Sequence, residues 1–167
     1  MLDTIFNRRS IRRYQDRPVE DDKLRSILRA AMYAPSAGDR RPWHFIVVKD
    51  RGMIEQFMQL QPYSKMLAQA PVLIVVCGDQ GREIAPGYFM EDCAAAVQNL
   101  LLAAYELGLG ACWLGIAPVR ERMEPIGRLF GLPENIVAFC GVAVGYPDET
   151  RQVPERFEEG RIHQDRW

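Results

Sequence analysis

The sequence predicts a layered fold of the α/β or α+β class, because helical and strand patterns alternate along the chain. Residues 20–34 carry apolar side chains at helical spacing, and residues 71–79 form a continuous apolar run that indicates a strand buried on both faces. Residues 88–110 form the longest helical stretch and are apolar on two faces. A chain of 167 residues is most simply one domain, 1–167, with a sizeable core.

The first half of the chain alternates short helices and strands. In the helix predicted over 20–34, apolar residues recur at i, i+3, i+4 and i+7 from Leu24. Pro35 ends this helix, since the residue before a proline is driven out of the helical conformation. A strand with β-branched residues follows over 44–50, and a short helix over 51–61.

The second half is dominated by the long helix, whose body spans 88–107. A helix apolar on two faces is buried on both, and in a chain this small the second face can meet another subunit. Gly108 and Gly110 end the helix. The remaining predicted elements are a strand over 111–117, a helix over 119–130 with a break at Pro125, and a strand over 136–147. The final twenty residues are polar and end in Trp167, which suggests a tail docked on an apolar surface.

Composition and charge narrow the class of protein. The net charge of −1 shows no bias toward nucleic acid or an acidic membrane, and no apolar stretch is uninterrupted enough to span a bilayer. The four cysteines are widely spaced in apolar runs, which favours buried free thiols in a reducing cytoplasm. With two histidines and no CxxC pair, a metal site is not expected. We therefore expect a cytoplasmic protein without nucleic-acid or membrane partners.

Residues 7–14, NRRSIRRY, are the most unusual charged segment, with four arginines in six positions. Guanidinium groups bind phosphate with two parallel hydrogen bonds, and Ser10 adds a hydroxyl donor. The alternative interpretation is a solvated helix face or a nucleic-acid-binding arm, and the near-neutral net charge weakens the latter.

No motif supplies catalysis by side chains. In GLGACWLG, residues 108–115, the glycines do not have the GxGxxG spacing, and they follow a helix and enter a strand, the reverse of a dinucleotide-binding turn. Nothing resembles a catalytic triad, and no residue is assigned as a catalytic acid or base. Chemistry by a bound cofactor is the hypothesis left open.

Four segments in series resemble the nitroreductase family of FMN-dependent oxidoreductases over nearly the whole chain. They are NRRSIRRY (7–14), APSAGDRRPWHF (34–45), EDCAAAVQNLLLAAYELGLGACWLGI (91–116) and GLPENIVAFCGVAVGYP (131–147). The resemblance implies an α+β layered fold with a mostly antiparallel central sheet flanked by helices. It also implies an intertwined homodimer with FMN at the subunit interface. NADH or NADPH would reduce the flavin, which would then reduce a nitroaromatic, quinone or similar small acceptor.

The resemblance also assigns residues to the cofactor. Arg8, Arg9, Ser10 and Arg12 match the segment that holds the FMN phosphate and ribityl chain. Arg156 looks like the C-terminal phosphate-contacting arginine of the family. A lysine often found two residues earlier is Pro154 here, so one cation is absent.

Two further segments match the flavin contacts of the family. Trp113, Leu114 and Gly115 match the strand that passes the isoalloxazine ring, and Pro35, Ser36 and Ala37 match the turn that reaches the flavin of the other subunit. The family continues this turn with Asn-x-Gln-Pro-Trp, where this chain has Asp39-Arg40-Arg41-Pro42-Trp43. Asp39 and Arg41 are expected to brace the turn as an ion pair. The alternative is that Arg41 enters the pocket and favours an anionic substrate.

The sequence leaves two other functions open. One is a flavin-fragmenting or reductive-dehalogenating member of the same fold, which would have an inserted lid, and residues 61–66 and 81–88 are the only lid candidates. The other is a flavin-binding module without turnover. The sequence identifies neither the electron acceptor nor a preference between NADH and NADPH.

Overall fold

Four strands and five helices make up residues 2–167, the part of the chain that this computed structural model describes. The helices are α1 (Leu2–Asn7), α2 (Asp21–Met32), α3 (Arg51–Leu60), α4 (Tyr88–Glu106) and α5 (Arg120–Leu129). The strands are β1 (Trp43–Val48), β2 (Val72–Asp79), β3 (Gly110–Gly115) and β4 (Ile136–Gly145). Short 3₁₀ turns lie at Ala37–Asp39, Lys65–Ala68 and Glu159–Arg161.

The strands form one sheet in the order β1-β2-β4-β3, and every neighbouring pair is antiparallel. The two central strands β2 and β4 are buried along almost their whole length, as the apolar run over 71–79 predicts. The antiparallel pairing decides between the two classes left open by the pattern of elements. The fold is α+β, and the prediction of an antiparallel sheet flanked by helices is confirmed.

Helices cover both faces of the sheet and create two core layers. Alternate residues of β2 serve the two layers: Ile74 packs with α2 and α4, while Leu73 packs with α3 and α5. The layer that contains α3 and α5 lies close to the sheet: a Cβ at Gly141 of β4 would be only 2.9 Å from Cζ of Phe57. The two layers fix the orientation of β3, whose alternate side chains face opposite helix pairs.

Two helices differ from the sequence predictions. Helix α5 continues through Pro125, so the predicted break is wrong. Proline removes one backbone hydrogen bond, but the next residue, Ile126, is fully buried against α3 and β4, and this packing holds the helix together. Helix α1 has no counterpart among the elements that the sequence predicts. The Thr4 hydroxyl of α1 donates a hydrogen bond to Glu106 of α4, which connects the two helices.

The longest helix is α4, with 19 residues. Both of its predicted apolar stripes carry buried residues, including Cys93 and Leu100 on one and Val97 and Leu101 on the other. Within residues 2–167 no helix has the length and apolar character needed to cross a bilayer.

The edge strand β3 places the arginine-rich segment. Ser10 forms a parallel bridge with Ala111, and the N–H of Ile11 donates to the carbonyl of Ala111 at 3.1 Å. A Cβ at Gly110 would lie 2.8 Å from Cβ of Ile11, so only glycine permits this approach. The segment 8–12 therefore runs beside the outer edge of β3.

Candidate functional site

The arginine-rich segment faces two neighbouring clefts. Arg8 and Arg9 line a cleft of about 240 Å³ between α4 and residues 147–153. Arg12 lines a second recess, of about 680 Å³, together with Trp113. Burial raises the pKa of the Cys112 thiol, and cations from both clefts oppose that rise: Arg12 of the recess, and Arg151 and Arg8 of the first cleft. Cationic side chains thus converge around one point of β3.

Arg8 is the most constrained of these cations. Burial lowers the pKa of its guanidinium, and the positive charges of Arg9 and Arg156 lower it further. Its Nε is buried and has no hydrogen-bond partner in residues 2–167. A buried donor without an acceptor costs free energy, and so does a cluster of like charges. An anion bound beside Arg8 would remove both costs.

The guanidinium groups assigned to the phosphate are not neutralised by carboxylates of the described chain. Within the described chain no ion pair involves Arg8, Arg9, Arg12 or Arg156. Arg9 donates instead to two backbone carbonyls, that of Arg8 at 2.6 Å and that of Gln152 at 3.2 Å. It thereby ties the C-terminal segment to the N-terminal one, which brings Arg156 toward Arg8.

Glu149 is a residue of this site that the sequence did not reveal. Its carboxylate accepts the backbone N–H groups of Arg12 and Arg13, the latter at 3.2 Å, and it pairs with Arg151 at 2.9 Å. Burial raises the pKa of Glu149, but these hydrogen bonds outweigh the burial and lower the pKa overall. Glu149 therefore fixes the backbone of the segment without neutralising the side chain of Arg12.

The recess beside Arg12 combines an aromatic wall with cations. Its lining comprises Arg12, Pro62, Tyr63, Lys65, Met66 and residues 112–115. Trp113 packs edge-on against Phe139, with ring centroids 5.6 Å apart, and keeps part of its surface open. The structure therefore brings Arg12, Trp113, Leu114 and Gly115 together in one recess, and adds Lys65. The sequence predicts residues 61–66 only as a candidate lid, and it carries no signal that would assign Lys65 to the site.

Gly115 leaves room for a ligand. A Cβ at this position would meet no atom of residues 2–167 within 4 Å, so packing inside the chain does not require glycine here. Its carbonyl accepts hydrogen bonds from Gln61 Nε2 at 2.7 Å and from Arg122 Nη1 at 3.2 Å. The end of β3 is thus held rigidly next to open space, which suits close approach of a flat ring system.

The predicted turn at Pro35, Ser36 and Ala37 lies apart from these clefts, since none of the three lines either of them. Ser36 Oγ accepts the N–H of Arg41 at 2.9 Å, and the N–H of Ala37 donates to Asp92 Oδ1 at 2.8 Å. One chain does not assemble all the predicted residues into a single site.

Comparisons with known proteins agree on one family. A sequence profile of the nitroreductase family matches residues 5–146. A protein of Methanothermobacter thermautotrophicus, whose name joins NADH dehydrogenase with NAD(P)H nitroreductase, is 48% identical and aligns with 100% of this chain and 87% of its own. The structure of an FMN-dependent nitroreductase from Clostridium difficile matches with a TM-score of 0.92 and 30% identity over 100% of both chains. A Desulfovibrio desulfuricans structure, described as a nitroreductase in complex with FMN, matches at 0.89 and 30% identity over 99% and 96%.

Proposed function

The chain belongs to the nitroreductase family, and we propose that it works by alternating half-reactions, oxidising NADH or NADPH first and reducing a small acceptor second. It is an FMN-dependent oxidoreductase. Bound FMN supplies the hydride chemistry that links NAD(P)H to a nitroaromatic, quinone or similar acceptor. The part of the protein is to bind and orient the reactants.

The observation that carries this proposal is the unpartnered, buried Nε of Arg8. The phosphate of FMN would give that donor an acceptor and would neutralise the neighbouring charges of Arg9 and Arg156. Ser10 follows Arg9 in the chain and bridges to Ala111 of β3, and it would add a hydroxyl donor. These residues fit a phosphate-bearing cofactor.

The recess at the end of β3 fits the ring system of the same cofactor. Trp113 and Leu114 would provide apolar contact, and Gly115 would let backbone groups approach the ring. Arg12 and Lys65 would place positive charge beside it, which stabilises negative charge where it develops during reduction. The protein therefore contributes dipoles and cations rather than an acid or a base.

The position of the Pro35–Ala37 turn supports an intertwined homodimer with FMN at the subunit interface. Because the turn lines neither cleft of its own chain, we propose that it contacts the flavin bound by the partner subunit. Two symmetric sites would then each combine residues of both protomers.

The exposed apolar residues support the same assembly. The C-terminal segment carries Phe157, which is 70% exposed, and a fully exposed Trp167 that stacks on His163. A groove on the outer face of α2 carries exposed Met32 and Val47 beside the unpaired edge of β1. We propose that the tail of one protomer covers the groove of its partner.

We also propose a reducing, cytoplasmic location. All four cysteines, Cys77, Cys93, Cys112 and Cys140, are buried free thiols. Burial raises the pKa of Cys77 to about 12, which keeps the thiol protonated and unreactive at neutral pH.

Spectroscopy of the purified protein tests the proposed function. We expect visible flavin absorption that bleaches on anaerobic addition of NADH or NADPH and returns on addition of a nitroaromatic or a quinone. Bound flavin that NAD(P)H does not bleach would indicate a binding module without turnover. Progressive loss of the flavin itself would indicate a flavin-fragmenting enzyme. Absence of any bound FMN after reconstitution would contradict the proposal.

A further inference from the structure

Asp92 is a buried carboxylate for which the proposed reaction has no use. It lies in the first half of α4 and is 6% exposed. Its Oδ1 accepts the N–H of Ala37 at 2.8 Å, and its Oδ2 is buried without a partner in the described residues 2–167. No lysine or arginine of the described chain forms an ion pair with it.

Such an arrangement is a poor way to stabilise a helix. A buried carboxylate with one unsatisfied oxygen retains much of its desolvation cost, and apolar replacements of similar volume at such positions are often neutral or stabilising. The packing of α4 against α2 therefore does not explain why a carboxylate stands at position 92. The contact with Ala37 does.

The segment that Asp92 holds has a demanding conformation. Gly38, Asp39 and Arg41 all have positive φ, at 56°, 52° and 49°. The left-handed conformation is unfavourable for Asp and Arg, so it persists only where surrounding contacts over-determine it. Within residues 2–167 the bond from Ala37 to Asp92 is the one hydrogen bond that reaches residues 36–41 from outside that segment.

We propose that Asp92 is a positioning residue, which anchors the Pro35–Ala37 turn to α4 so that the turn meets the FMN of the partner subunit. The inference rests on the proposed function for its ligand. The anchoring itself rests on the geometry of one chain. Because α4 packs against α2 and the sheet, Oδ1 gives the turn a fixed reference point in the rigid part of the molecule.

Two substitutions at Asp92 separate anchoring from stability. Asp92→Leu removes the acceptor and keeps an apolar volume, whereas Asp92→Asn keeps an oxygen acceptor for the N–H of Ala37. We expect Asp92→Leu to raise the FMN dissociation constant about tenfold, as the loss of one hydrogen bond to a charged acceptor implies. It should also alter the visible circular dichroism of the bound flavin. Asp92→Asn should stay within about threefold of the natural protein, since the amide oxygen makes the same bond.

Two controls lie on the same helix. Glu91→Gln changes the exposed neighbouring carboxylate and should leave FMN binding unchanged. Val97→Ala opens a small cavity at a fully buried position that is remote in sequence from the turn. It should lower the melting temperature of the holoprotein by a few °C and leave the affinity for FMN nearly unchanged. The two variants should therefore differ in opposite ways. Val97→Ala should lower the melting temperature more than Asp92→Leu does, and Asp92→Leu should lower the affinity for FMN more than Val97→Ala does.

Hydrogen exchange supplies a readout that does not depend on the cofactor. Asp92→Leu should speed amide exchange in residues 36–41 by about tenfold, with or without FMN, while Val97→Ala should not do so selectively. Unchanged exchange in that segment, or Asp92→Asn behaving like Asp92→Leu, would overturn the proposal. Faster exchange in a protein that never binds FMN would retain the anchor and reject the proposed function.

Discussion

Arg41 forms a bidentate ion pair with Asp39: its Nε donates to Asp39 Oδ1 at 2.7 Å, and its Nη2 donates to the second carboxylate oxygen. The hydrogen bond from Arg41 is the main reason why the pKa of Asp39 is lowered. The family that the chain resembles has Asn and Gln at these two positions. An acid and a base here replace two neutral groups, and they do so as a bonded pair, which favours bracing of the turn over a substrate role for Arg41.

The pairing predicts coupled effects on the cofactor. Arg41→Gln alone should raise the FMN dissociation constant, because Asp39 loses its partner in a turn with positive φ at both residues. The stability of the protein should change little, since both side chains are exposed and exposed pairs contribute weakly. Fluorescence titration of FMN against the variants measures the effect.

The double variant Asp39→Asn with Arg41→Gln is the critical comparison for that pair. It should restore the natural affinity for FMN, because it recreates the neutral pattern of the family. Simple addition of the two single effects would mean that the residues are not coupled. If Arg41→Gln leaves FMN binding intact and weakens only anionic acceptors, Arg41 is a substrate residue.

Arg8→Ala should weaken FMN binding strongly. Losing one charged hydrogen-bond donor to a phosphate costs about 1.5–3 kcal/mol, which corresponds to about 10- to 150-fold in the dissociation constant. Arg13→Ala is the matched control, because Arg13 belongs to the same segment but lines neither cleft. Equilibrium dialysis with FMN compares them, and equal losses for the two variants would reduce the effect to general positive charge.

The assembly predicts a dimer at micromolar concentration in analytical ultracentrifugation. Phe157→Lys and Val47→Lys should each favour the monomer, because each places a charge in the proposed contact between tail and groove. Gln56→Lys adds the same charge on the exposed face of α3 and serves as the control. A folded, flavin-loaded monomer of the unmodified protein would contradict the proposed dimer.

Glu20 should remain ionised to unusually low pH. Tyr146 donates its hydroxyl to Glu20 Oε2 at 2.6 Å, and this hydrogen bond is the main reason why the pKa of Glu20 falls from 4.5 to about 2. A pKa lowered by folding contributes stability above the unfolded value, and that stability is lost as the pH falls through the folded value. The contribution of Glu20 is therefore complete above about pH 4.5 and disappears toward about pH 2.

Tyr146→Phe tests that hydrogen bond directly. It should move the pKa of Glu20 back toward its ordinary value, as followed by NMR titration of the side-chain carboxyl carbon. Tyr33→Phe removes a hydroxyl from an exposed tyrosine next to α2 and should leave the titration of Glu20 unchanged. An unmoved Glu20 titration in Tyr146→Phe would mean that other contacts lower its pKa.

Local patterns along the chain were enough to predict most of the helices and strands. The apolar stripe from Leu24 and the apolar run over 71–79 both form the predicted elements, because their side chains bury on the faces that the spacing implies. The pattern failed at Pro125, where proline chemistry predicts a break. There the burial of Ile126 in the second core layer outweighs one missing hydrogen bond.

By itself, the sequence determined the order of most helices and strands, the candidate core, and a resemblance strong enough to indicate FMN and the residues that would bind it. Only the tertiary structure decided how distant segments meet: Glu149 at the backbone of Arg12, Lys65 in the recess with Trp113, and Asp92 at Ala37. The physical reason is range. Helix and strand periodicities are set by neighbours a few residues apart. These three contacts join residues that are 137, 48 and 55 positions apart, respectively, and they depend on the packing of the whole sheet.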